Sequence, residues 1–413
     1  MTLNAASVEA SVDRIRPVVR RTALERSDRL SDEVGVEVLL KREDVQRCRS
    51  YKVRGAYNLM SSLDAGDRAS GVVCASAGNH GQGVAFSCQA LEIHGRILVP
   101  SNTPRQKRER ILAIGGEWVD LVVSGSSYDE TSALALEESV RTGEVYVHPF
   151  DDPRTIAGQG TVAVEIADQH PGPIGTLLVP VGGGGLVAGV ALWCKEHRPD
   201  IRVVGVEPAG AASMGAALAH GGPVALPSID TFVDGAAVAE VGELTYPIVR
   251  DLVDEVVSVA EGAVCTEMID LYQSDGIIAE PAGALASTAV RQCRLDPAAP
   301  VVCIVSGGNN DVSRYSEIVE RSLIHQGLRH YFLVTFPQEP GALRRFLDEL
   351  LVHGEDIVLF EYVKKSNRDV GPALVGIELN RPGDLDGLLA RVDDSPLRIE
   401  RVPPGSPMFT FLL

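Results

Sequence analysis

The stretch TLLVPVGGGGLVAGVALWCKEH, residues 176–197, decides the fold class of this chain. Its first six residues form an apolar run with the length of a buried strand, and its last twelve are predicted as a helix. Four glycines, residues 182–185, lie between them and leave backbone N–H groups without obstruction by Cβ atoms. Because a helix N-terminus also favours negative charge, this loop predicts an anion-binding site, with a flexible turn as the plain alternative.

Strand and helix patterns alternate along the chain on both sides of this stretch. The predicted strands are 35–43, 71–76, 95–100, 117–123, 144–150, 202–208 and 301–308, and the predicted helices are 55–63, 81–91, 103–115 and 128–142. This alternation predicts an α/β fold with a doubly wound, mostly parallel sheet, whose ligands bind at the carboxyl ends of the strands. The loops after Ala75, Val181 and Val305 are therefore the candidate sites, and we expect all three at one sheet.

Two of these loops are polar. SAGNHGQG (76–83) offers Ser76, Asn79 and backbone N–H groups to a carboxylate or a phenolic oxygen, and SGGNND (306–311) repeats the pattern. Such runs also occur in ordinary turns, and His80 by itself is more typical of a packed histidine than of a catalytic one. Lys52, in RSYKVRGAY (49–57), is either a solvated lysine at a helix start or a buried amine that reacts with a carbonyl.

Composition excludes several classes of function. The chain has 413 residues and a formal net charge of −18, which argues against nucleic-acid binding. No window is typical of a membrane span or of a cleaved signal. Seven scattered cysteines without a CxxC pair favour a reducing, cytoplasmic location over a disulfide framework or a zinc site.

The sequence changes character near residue 325. A strand at 330–337, a helix at 340–351, strands at 356–365 and 372–379, a helix at 382–392 and a strand at 397–401 predict a ferredoxin-like βαββαβ module. The first of these helices places one apolar face on Leu343, Phe346, Leu347, Leu350 and Leu351. Residues 322–329 are the predicted linker, and the module carries no cluster of nucleophiles or bases, which favours a regulatory role.

Four motifs now give a resemblance to a known family. SYKVRGAY, SAGNHGQGVAFSC, VPVGGGGL and SGGNND are similar, in order and spacing, to the signatures of fold-type II pyridoxal-phosphate enzymes. HPFDDPRTIAGQGTVAVEI (148–166) and EPAGA (280–284) resemble the biosynthetic threonine dehydratase family, in its short form with one C-terminal ACT-like domain. The resemblance implies a catalytic domain over 1–325, built of two α/β subdomains with the cofactor between them. It also implies an ACT-like domain over 328–402 and a tail over 403–413.

The resemblance also implies the roles of individual residues. Lys52 would bond to the aldehyde of pyridoxal 5'-phosphate and act as the catalytic base, while Asn79 would meet the ring's 3-oxygen and Ser306 the pyridine nitrogen. The cofactor phosphate would be bound by Gly182, Gly183, Gly184, Gly185 and Leu186, and the substrate by Ser76, Ala77, Gly78, Asn79 and His80. Arg54 is expected to be structural. A neutral hydroxyl at the pyridine nitrogen favours β-elimination, so the implied reaction converts L-threonine to 2-oxobutanoate and ammonia at the start of isoleucine biosynthesis.

Two positions separate this chain from related racemases. Those relatives have SSGNH where this chain has SAGNH, and Ala77 cannot carry a proton, which disfavours racemisation. They also bind a divalent cation near a glutamate that matches Glu207, but Ser213 replaces the expected carboxylate partner. The sequence therefore leaves the identity of any metal open, and a monovalent cation remains an alternative.

Several alternatives stay open within and outside this family. Serine dehydratase, threonine synthase or cysteine synthase chemistry would use the same fold, and a catalytically silent amino-acid sensor is the alternative from another class. The C-terminal module favours an enzyme under feedback control. We expect isoleucine to inhibit through this module, valine to oppose it, L-serine to be a second substrate and the enzyme to be a homotetramer.

Overall fold

The computed structural model describes residues 3–362, 369–404, 406, 408 and 409. The chain divides into two compact units, residues 1–311 and residues 312–413. The first unit contains ten strands within the described residues: β1 (Leu24–Arg26), β2 (Val38–Arg42), β3 (Val72–Ala75), β4 (Gly95–Val99), β5 (Val119–Val123), β6 (Val145–Tyr146), β7 (Thr176–Pro180), β8 (Arg202–Pro208), β9 (Glu255–Val259) and β10 (Val301–Val305).

These strands form two sheets. The larger sheet has the order β1-β2-β10-β7-β8-β9 and the smaller has the order β5-β4-β3-β6. Every pair of neighbouring strands is parallel except β1 and β2, which are antiparallel. The predicted α/β fold with doubly wound, mostly parallel sheets is therefore confirmed.

Helices connect and cover these strands. They are α1 (Ala5–Ile15), α2 (Asp28–Val34), α3 (Lys52–Ser61), α4 (Ala65–Ser70), α5 (Asn79–Leu91), α6 (Arg105–Gly115), α7 (Tyr128–Thr142), α8 (Pro153–Gln169), α9 (Gly185–His197), α10 (Ser213–His220), α11 (Thr245–Leu252), α12 (Glu261–Gln273) and α13 (Pro281–Ala289). Local chemistry explains several starts: Asp152 caps α8, whose first residue is a proline, and Ser127 caps α7. None of the helices in the described part of the chain combines the length and apolarity needed to cross a bilayer.

The prediction that the three candidate loops lie at one sheet is wrong. The loop after β3 belongs to the smaller sheet, whereas the loops after β7 and β10 belong to the larger one. The chain begins the larger sheet with β1 and β2, builds the smaller sheet, and then returns. Alternation of strands and helices does not reveal such a return, because each sheet is built from the same local units.

The predicted strand over 144–150 is also shorter than expected, since β6 contains two residues. Pro149 has no N–H to donate, and the N–H groups of Phe150 and Asp151 donate to Nδ1 of His148 at 3.3 and 2.7 Å. These local bonds replace the ladder and turn the segment into a loop.

Each sheet of the first unit has its own apolar core. Val179, Val203 and Val302 lie in the core of the larger sheet, and Val72 and Ile97 in the core of the smaller one. Six of the seven cysteines are buried in the described structure, namely Cys48, Cys74, Cys88, Cys194, Cys265 and Cys303, whereas Cys293 is partly exposed.

The second unit begins with a helix and continues as a ferredoxin-like module. Its elements are α14 (Tyr315–His325), β11 (Arg329–Pro337), α15 (Ala342–Leu350), β12 (Asp356–Tyr362), β13 (Val370–Glu378), α16 (Leu385–Asp394) and β14 (Arg398–Val402). The sheet has the order β12-β13-β11-β14, and all its pairs are antiparallel. The predicted βαββαβ module is confirmed, but the first half of the predicted linker, residues 322–325, continues α14.

The apolar face predicted for α15 is partly wrong. Phe346 and Leu350 are each 2% exposed and face the sheet, whereas Leu343 and Leu347 are 42% and 36% exposed. The buried row has i, i+4 spacing, so the neighbouring row lies toward solvent. Residues 363–365 of the predicted strand over 356–365 lie outside the described residues, as does most of the predicted tail over 403–413.

Candidate active site

A cavity of about 310 Å³ opens in the first unit, and six of the twelve predicted site residues line it. Its wall includes Lys52 and the whole predicted substrate loop, Ser76, Ala77, Gly78, Asn79 and His80. The rest of the wall comes from several other segments: Gln82, Pro100, Lys107, Tyr128, Pro149–Phe150, five residues between 231 and 238, Glu280 and Asn309. The structure therefore brings the start of α3 and the loop after β3 into the wall of one cavity, although they belong to different motifs of the sequence.

Lys52 is the first residue of α3 and points its amine into this cavity. Nζ donates a hydrogen bond to the carbonyl oxygen of Pro149 at 2.9 Å. Protein surrounds the amine except on the cavity side, and this burial lowers the pKa of Lys52 from 10.5 to about 8, although the charge of Glu280 acts to raise it. A substantial fraction of the amine is therefore neutral at mildly alkaline pH, as nucleophilic attack on a carbonyl requires.

A buried ion cluster holds the first turn of α3. Arg54, two residues after Lys52, has a fully buried side chain that donates to both carboxylate oxygens of Glu43 at 2.8 Å. It also donates to both oxygens of Glu165 at 2.8 and 2.9 Å. The amine of Lys41 bonds to Glu165 at 2.9 Å, so the four charges balance. Arg54 is absent from the cavity wall among the described residues, as a structural role requires.

Asn79 and Glu280 face each other across the cavity floor. Nδ2 of Asn79 donates to the Glu280 carboxylate, and Oδ1 accepts from Nδ2 of Asn309 at 2.6 Å. Glu280 is 4% exposed, and burial, assisted by the charge of Asp234, raises its pKa to about 7. The carboxyl group is therefore about half protonated near neutral pH.

His80 is packed rather than charged. Its side chain is buried in the second position of α5, and Nε2 lies 2.7 Å from the carbonyl oxygen of Val147. Burial, with a smaller contribution from the charge of Lys52, lowers the pKa of His80 to about 3. It remains neutral at physiological pH, which agrees with the interpretation of His80 as a packed residue.

The glycine loop lies behind the cavity wall rather than in it. In the described part of the chain, the wall includes neither Gly182–Leu186 nor Ser306. The loop packs on the Pro149–Phe150 segment, because a Cβ atom on Gly183 would lie 2.4 Å from the Phe150 ring. Gly184 has φ +93° and is the N-cap of α9, whose first turn receives no hydrogen bond from a side-chain cap. Glycine is thus required at Gly183 by the close approach of Phe150 and at Gly184 by the positive φ. The N–H groups at the start of α9 remain available to an anion.

Ser306 follows β10 and contacts the backbone next to Lys52. It is 3% exposed, its Oγ donates to the carbonyl oxygen of Ala282 at 3.1 Å, and its own carbonyl accepts from the N–H of Tyr51 at 3.1 Å. The loop after β10 is therefore fixed against the start of α3. The cavity wall offers an amine for an aldehyde and an amide for a ring oxygen. N–H groups for a phosphate lie behind Phe150, and a hydroxyl for a ring nitrogen lies on the residue that bonds to Tyr51, beside Lys52. These residues fit pyridoxal phosphate.

Glu207 does not face a cluster of metal ligands. Its carboxylate accepts hydrogen bonds from the N–H groups of Met214 and Gly215 at 2.6 and 2.9 Å, at the start of α10. Burial raises the pKa of Glu207 to about 7. Across the described residues, no group of three or more His, Cys, Asp or Glu side chains is arranged to hold a metal ion.

The sequence analysis missed several residues of this cavity. Glu280 and Asn309 lie in quoted motifs, EPAGA and SGGNND, but received no role. Lys107 and Asp234 form an ion pair at 2.8 Å in the cavity wall, and nothing in the sequence connected them. Polar residues next to glycine at strand ends were the available signal for Asn309, whereas the Lys107–Asp234 pair depends on the tertiary fold.

Comparisons with known proteins agree with this geometry. A family model for the pyridoxal-phosphate dependent enzymes matches residues 15–307, and a model for the C-terminal regulatory domain of threonine dehydratase matches residues 320–412. The chain is 56% identical over 414 residues to biosynthetic L-threonine dehydratase IlvA of Mycobacterium tuberculosis, covering 100% of this chain and 96% of that relative.

Two solved structures are also similar. The processed form of threonine deaminase isoform 2 from Solanum lycopersicum has a TM-score of 0.73 and 40% identity, over 78% of this chain and 87% of that one. Maize serine racemase has a TM-score of 0.71 and 33% identity, over 79% of this chain and 99% of that one.

Proposed function

Since the chain belongs to the pyridoxal-phosphate-dependent enzymes, and among them to the biosynthetic threonine dehydratases, we propose that it converts L-threonine to 2-oxobutanoate and ammonia. Its class is that of an L-threonine ammonia-lyase with a C-terminal regulatory domain. The amine of Lys52, partly neutral and aimed into a cavity beside the loop Ser76–His80, is the observation that carries the proposal.

Lys52 has two roles in this proposal. It would hold the cofactor through its aldehyde, and its free Nζ would take the proton from the substrate α-carbon. Bound pyridoxal phosphate supplies the electron sink for the charge that develops at that carbon. The depressed pKa of Lys52 supports both roles, because each begins from the neutral amine.

The other site residues bind and orient. Gly182–Gly185 and Leu186 would hold the phosphate at the start of α9, Asn79 would hold the ring's 3-oxygen, and the hydroxyl of Ser306 would hold the ring nitrogen. Ser76 and the N–H groups at the start of α5 hold the substrate carboxylate. The first turn of α5 receives no side-chain cap, which supports this assignment of its N–H groups.

Production of 2-oxo acid from L-threonine and L-serine, with added pyridoxal phosphate, tests the chemistry. We expect turnover of threonine and slower turnover of serine. Lys52→Ala should abolish product and the visible absorption band of the bound cofactor, whereas Lys195→Ala, at a partly exposed lysine paired with Asp254, should leave both unchanged. Turnover of serine alone would indicate a serine dehydratase. A bound cofactor without any 2-oxo acid would indicate β-replacement or a silent sensor.

We also propose that isoleucine inhibits through the second unit and that valine opposes it. A groove of about 620 Å³ lies between α15 and the end of β12, with Phe336, Phe360 and Tyr362 on one side. The exposed Leu343 and Leu347 line it as well. An apolar groove of this size suits a branched aliphatic side chain, and an effector acts by favouring one of two states.

The full chain tests this regulatory proposal. Leu347→Glu should raise the isoleucine concentration for half inhibition at least tenfold, while Leu136→Glu, at an exposed leucine on α7, should not. Deletion of residues 328–413 should abolish inhibition. Unchanged inhibition in Leu347→Glu would refute the groove, and unchanged inhibition in the truncation would refute the role of the second unit.

Assembly and location complete the proposal. A homotetramer is proposed from the family resemblance, and sedimentation equilibrium tests it. A cytoplasmic location is proposed because an odd number of scattered cysteines suits a reducing compartment.

A further inference from the structure

The side chain of Asn79 is held at both ends. Its Oδ1 accepts from Nδ2 of Asn309 at 2.6 Å, and its Nδ2 donates to Glu280. Among the described residues, Glu280 is the one acceptor recorded for Nδ2, and an amide nitrogen carries two N–H groups. The second N–H is therefore left for the cavity that Asn79 lines.

A backbone carbonyl oxygen decides which way the hydrogen bonds of Asn309 and Asn79 run. Nδ2 of Asn309 also donates to the carbonyl oxygen of Cys48 at 2.8 Å. A carbonyl oxygen only accepts, so rotation of the Asn309 amide by 180° would place two oxygens against each other. Asn309 must therefore present its nitrogen to Asn79, and Asn79 must present its oxygen to Asn309.

Glu280 at the other end of the chain is also fixed. Its backbone N–H donates to the carbonyl oxygen of Gly307 at 3.1 Å. A Cβ atom on Gly307 would lie 2.2 Å from Oε1 of Glu280 and 3.2 Å from Nδ2 of Asn79, so only glycine leaves room for this contact. The loop after β10 thus supplies Asn309, which donates to Oδ1 of Asn79. It also supplies Gly307, which leaves room for the Glu280 carboxylate beside Nδ2 of Asn79.

We propose that Asn309 and Glu280 are positioning residues that hold the Asn79 amide with its nitrogen toward the cofactor. This inference rests on the proposed assignment of Asn79 to the ring's 3-oxygen. In the opposite orientation Oδ1 of Asn79 would face that oxygen, and two acceptors would repel. The Cys48 carbonyl fixes the orientation of the Asn309 amide, and Asn309 in turn fixes the orientation of the Asn79 amide. Glu280 contributes only an oxygen that accepts a hydrogen bond from Asn79. The charge of Glu280 is therefore dispensable, and the donor of Asn309 is not.

Cofactor binding by the full-length enzyme tests whether the donor of Asn309 matters and the charge of Glu280 does not. The dissociation constant of pyridoxal phosphate and the position of its visible absorption band are measured for each variant, with thermal unfolding to verify folding. Asn309→Asp replaces the donor by an acceptor, and Asn309→Leu removes it without adding charge. We expect both to raise the dissociation constant at least tenfold and to shift the band. Asn310→Leu, the same substitution one residue along, is the matched control and should stay within twofold.

Two substitutions at Glu280 separate its oxygen from its charge. Glu280→Gln keeps an oxygen that accepts from Asn79 and should leave the dissociation constant within twofold and the band in place. Glu280→Leu removes the acceptor and should behave like Asn309→Leu. A band shift in Glu280→Gln equal to that in Glu280→Leu would overturn the inference, since the charge would then be what matters.

The remaining outcomes are distinguishable. If Asn79→Ala leaves binding and the band unchanged, the proposed assignment of Asn79 fails and the inference fails with it. If Asn79→Ala weakens binding but Asn309→Leu does not, the assignment stands and the inference alone is overturned. Should Asn309→Asp fail to fold, Asn309→Leu and the Glu280 pair still decide.

Discussion

Substitution of Arg54 by methionine should cost the first unit about 3 kcal/mol of unfolding free energy. Arg54 and Glu43 have fully buried side chains, and loss of one partner of a buried ion pair typically costs about 3–5 kcal/mol because the other charge stays uncompensated. Lys41 remains beside Glu165 and offsets part of the loss, so we expect the lower end of this range.

Tryptophan fluorescence during equilibrium denaturation measures the unfolding free energy of the first unit, where Arg54 lies. The chain has two tryptophans, Trp118 and Trp193, and both lie in residues 1–311. Arg16→Met is the matched control, because the Arg16 and Asp13 side chains are 73% and 80% exposed and such pairs contribute about 0–1 kcal/mol.

A double variant and a pH series test whether the loss of stability comes from the unpaired charge of Glu43. Arg54→Met with Glu43→Gln should cost less than Arg54→Met alone, since the orphaned charge is gone. In the wild type, burial acts to raise the pKa of Glu43, but Arg54, with smaller contributions from Lys41 and Thr22, brings the net pKa below its ordinary value. Without Arg54 the pKa rises above the unfolded value, so the stability gap should narrow as pH falls from about 7.5 to 5. A cost below about 1 kcal/mol, or one that grows at low pH, would refute this reasoning.

Three further predictions concern the cofactor, the second unit and the reaction. Gly183→Ala should weaken pyridoxal phosphate binding at least tenfold in an absorbance titration, because the new Cβ would lie 2.4 Å from the Phe150 ring; Gly222→Ala, where a Cβ meets nothing within 4 Å, should not. Leu350→Ala should destabilise the second unit by about 2–5 kcal/mol in denaturation followed by circular dichroism, since Leu350 is 2% exposed. With alanine at position 77, L-serine should give no D-serine by chiral chromatography, and a yield above background would contradict this prediction.

Much of the fold could be predicted from the sequence. The strand–glycine–helix stretch over 176–197 became β7 and α9 almost residue for residue, because its apolar run and its glycines act locally. The order of elements in the second unit was predicted as well. The assignment of β3 and β10 to different sheets could not be predicted, since strand pairing is a long-range choice that local patterns do not encode.

The candidate site divides in the same way. Lys52, Asn79 and the loop Ser76–His80 were found because each lies in a short motif at the end of a strand or the start of a helix. Glu280 was quoted in a motif but given no role, since its contact with Asn79 joins residues 201 positions apart. Leu343 and Leu347 were predicted on the apolar face of their helix, but the pattern could not show that this part of the face is exposed and lines a groove.

The uneven burial of the thiols has a practical consequence. Cys293 lies just past the C-terminal end of α13, whereas Glu280 precedes that helix at its other end. Reagents such as maleimides attack accessible thiolates, and burial keeps the pKa of Cys48, Cys88 and Cys194 near 12. Burial raises the pKa of Cys293 too, but its side chain is partly exposed, so it is the preferred attachment point for a fluorophore or a solid support in the native chain. It lies at the opposite end of α13 from Glu280, which lines the cavity.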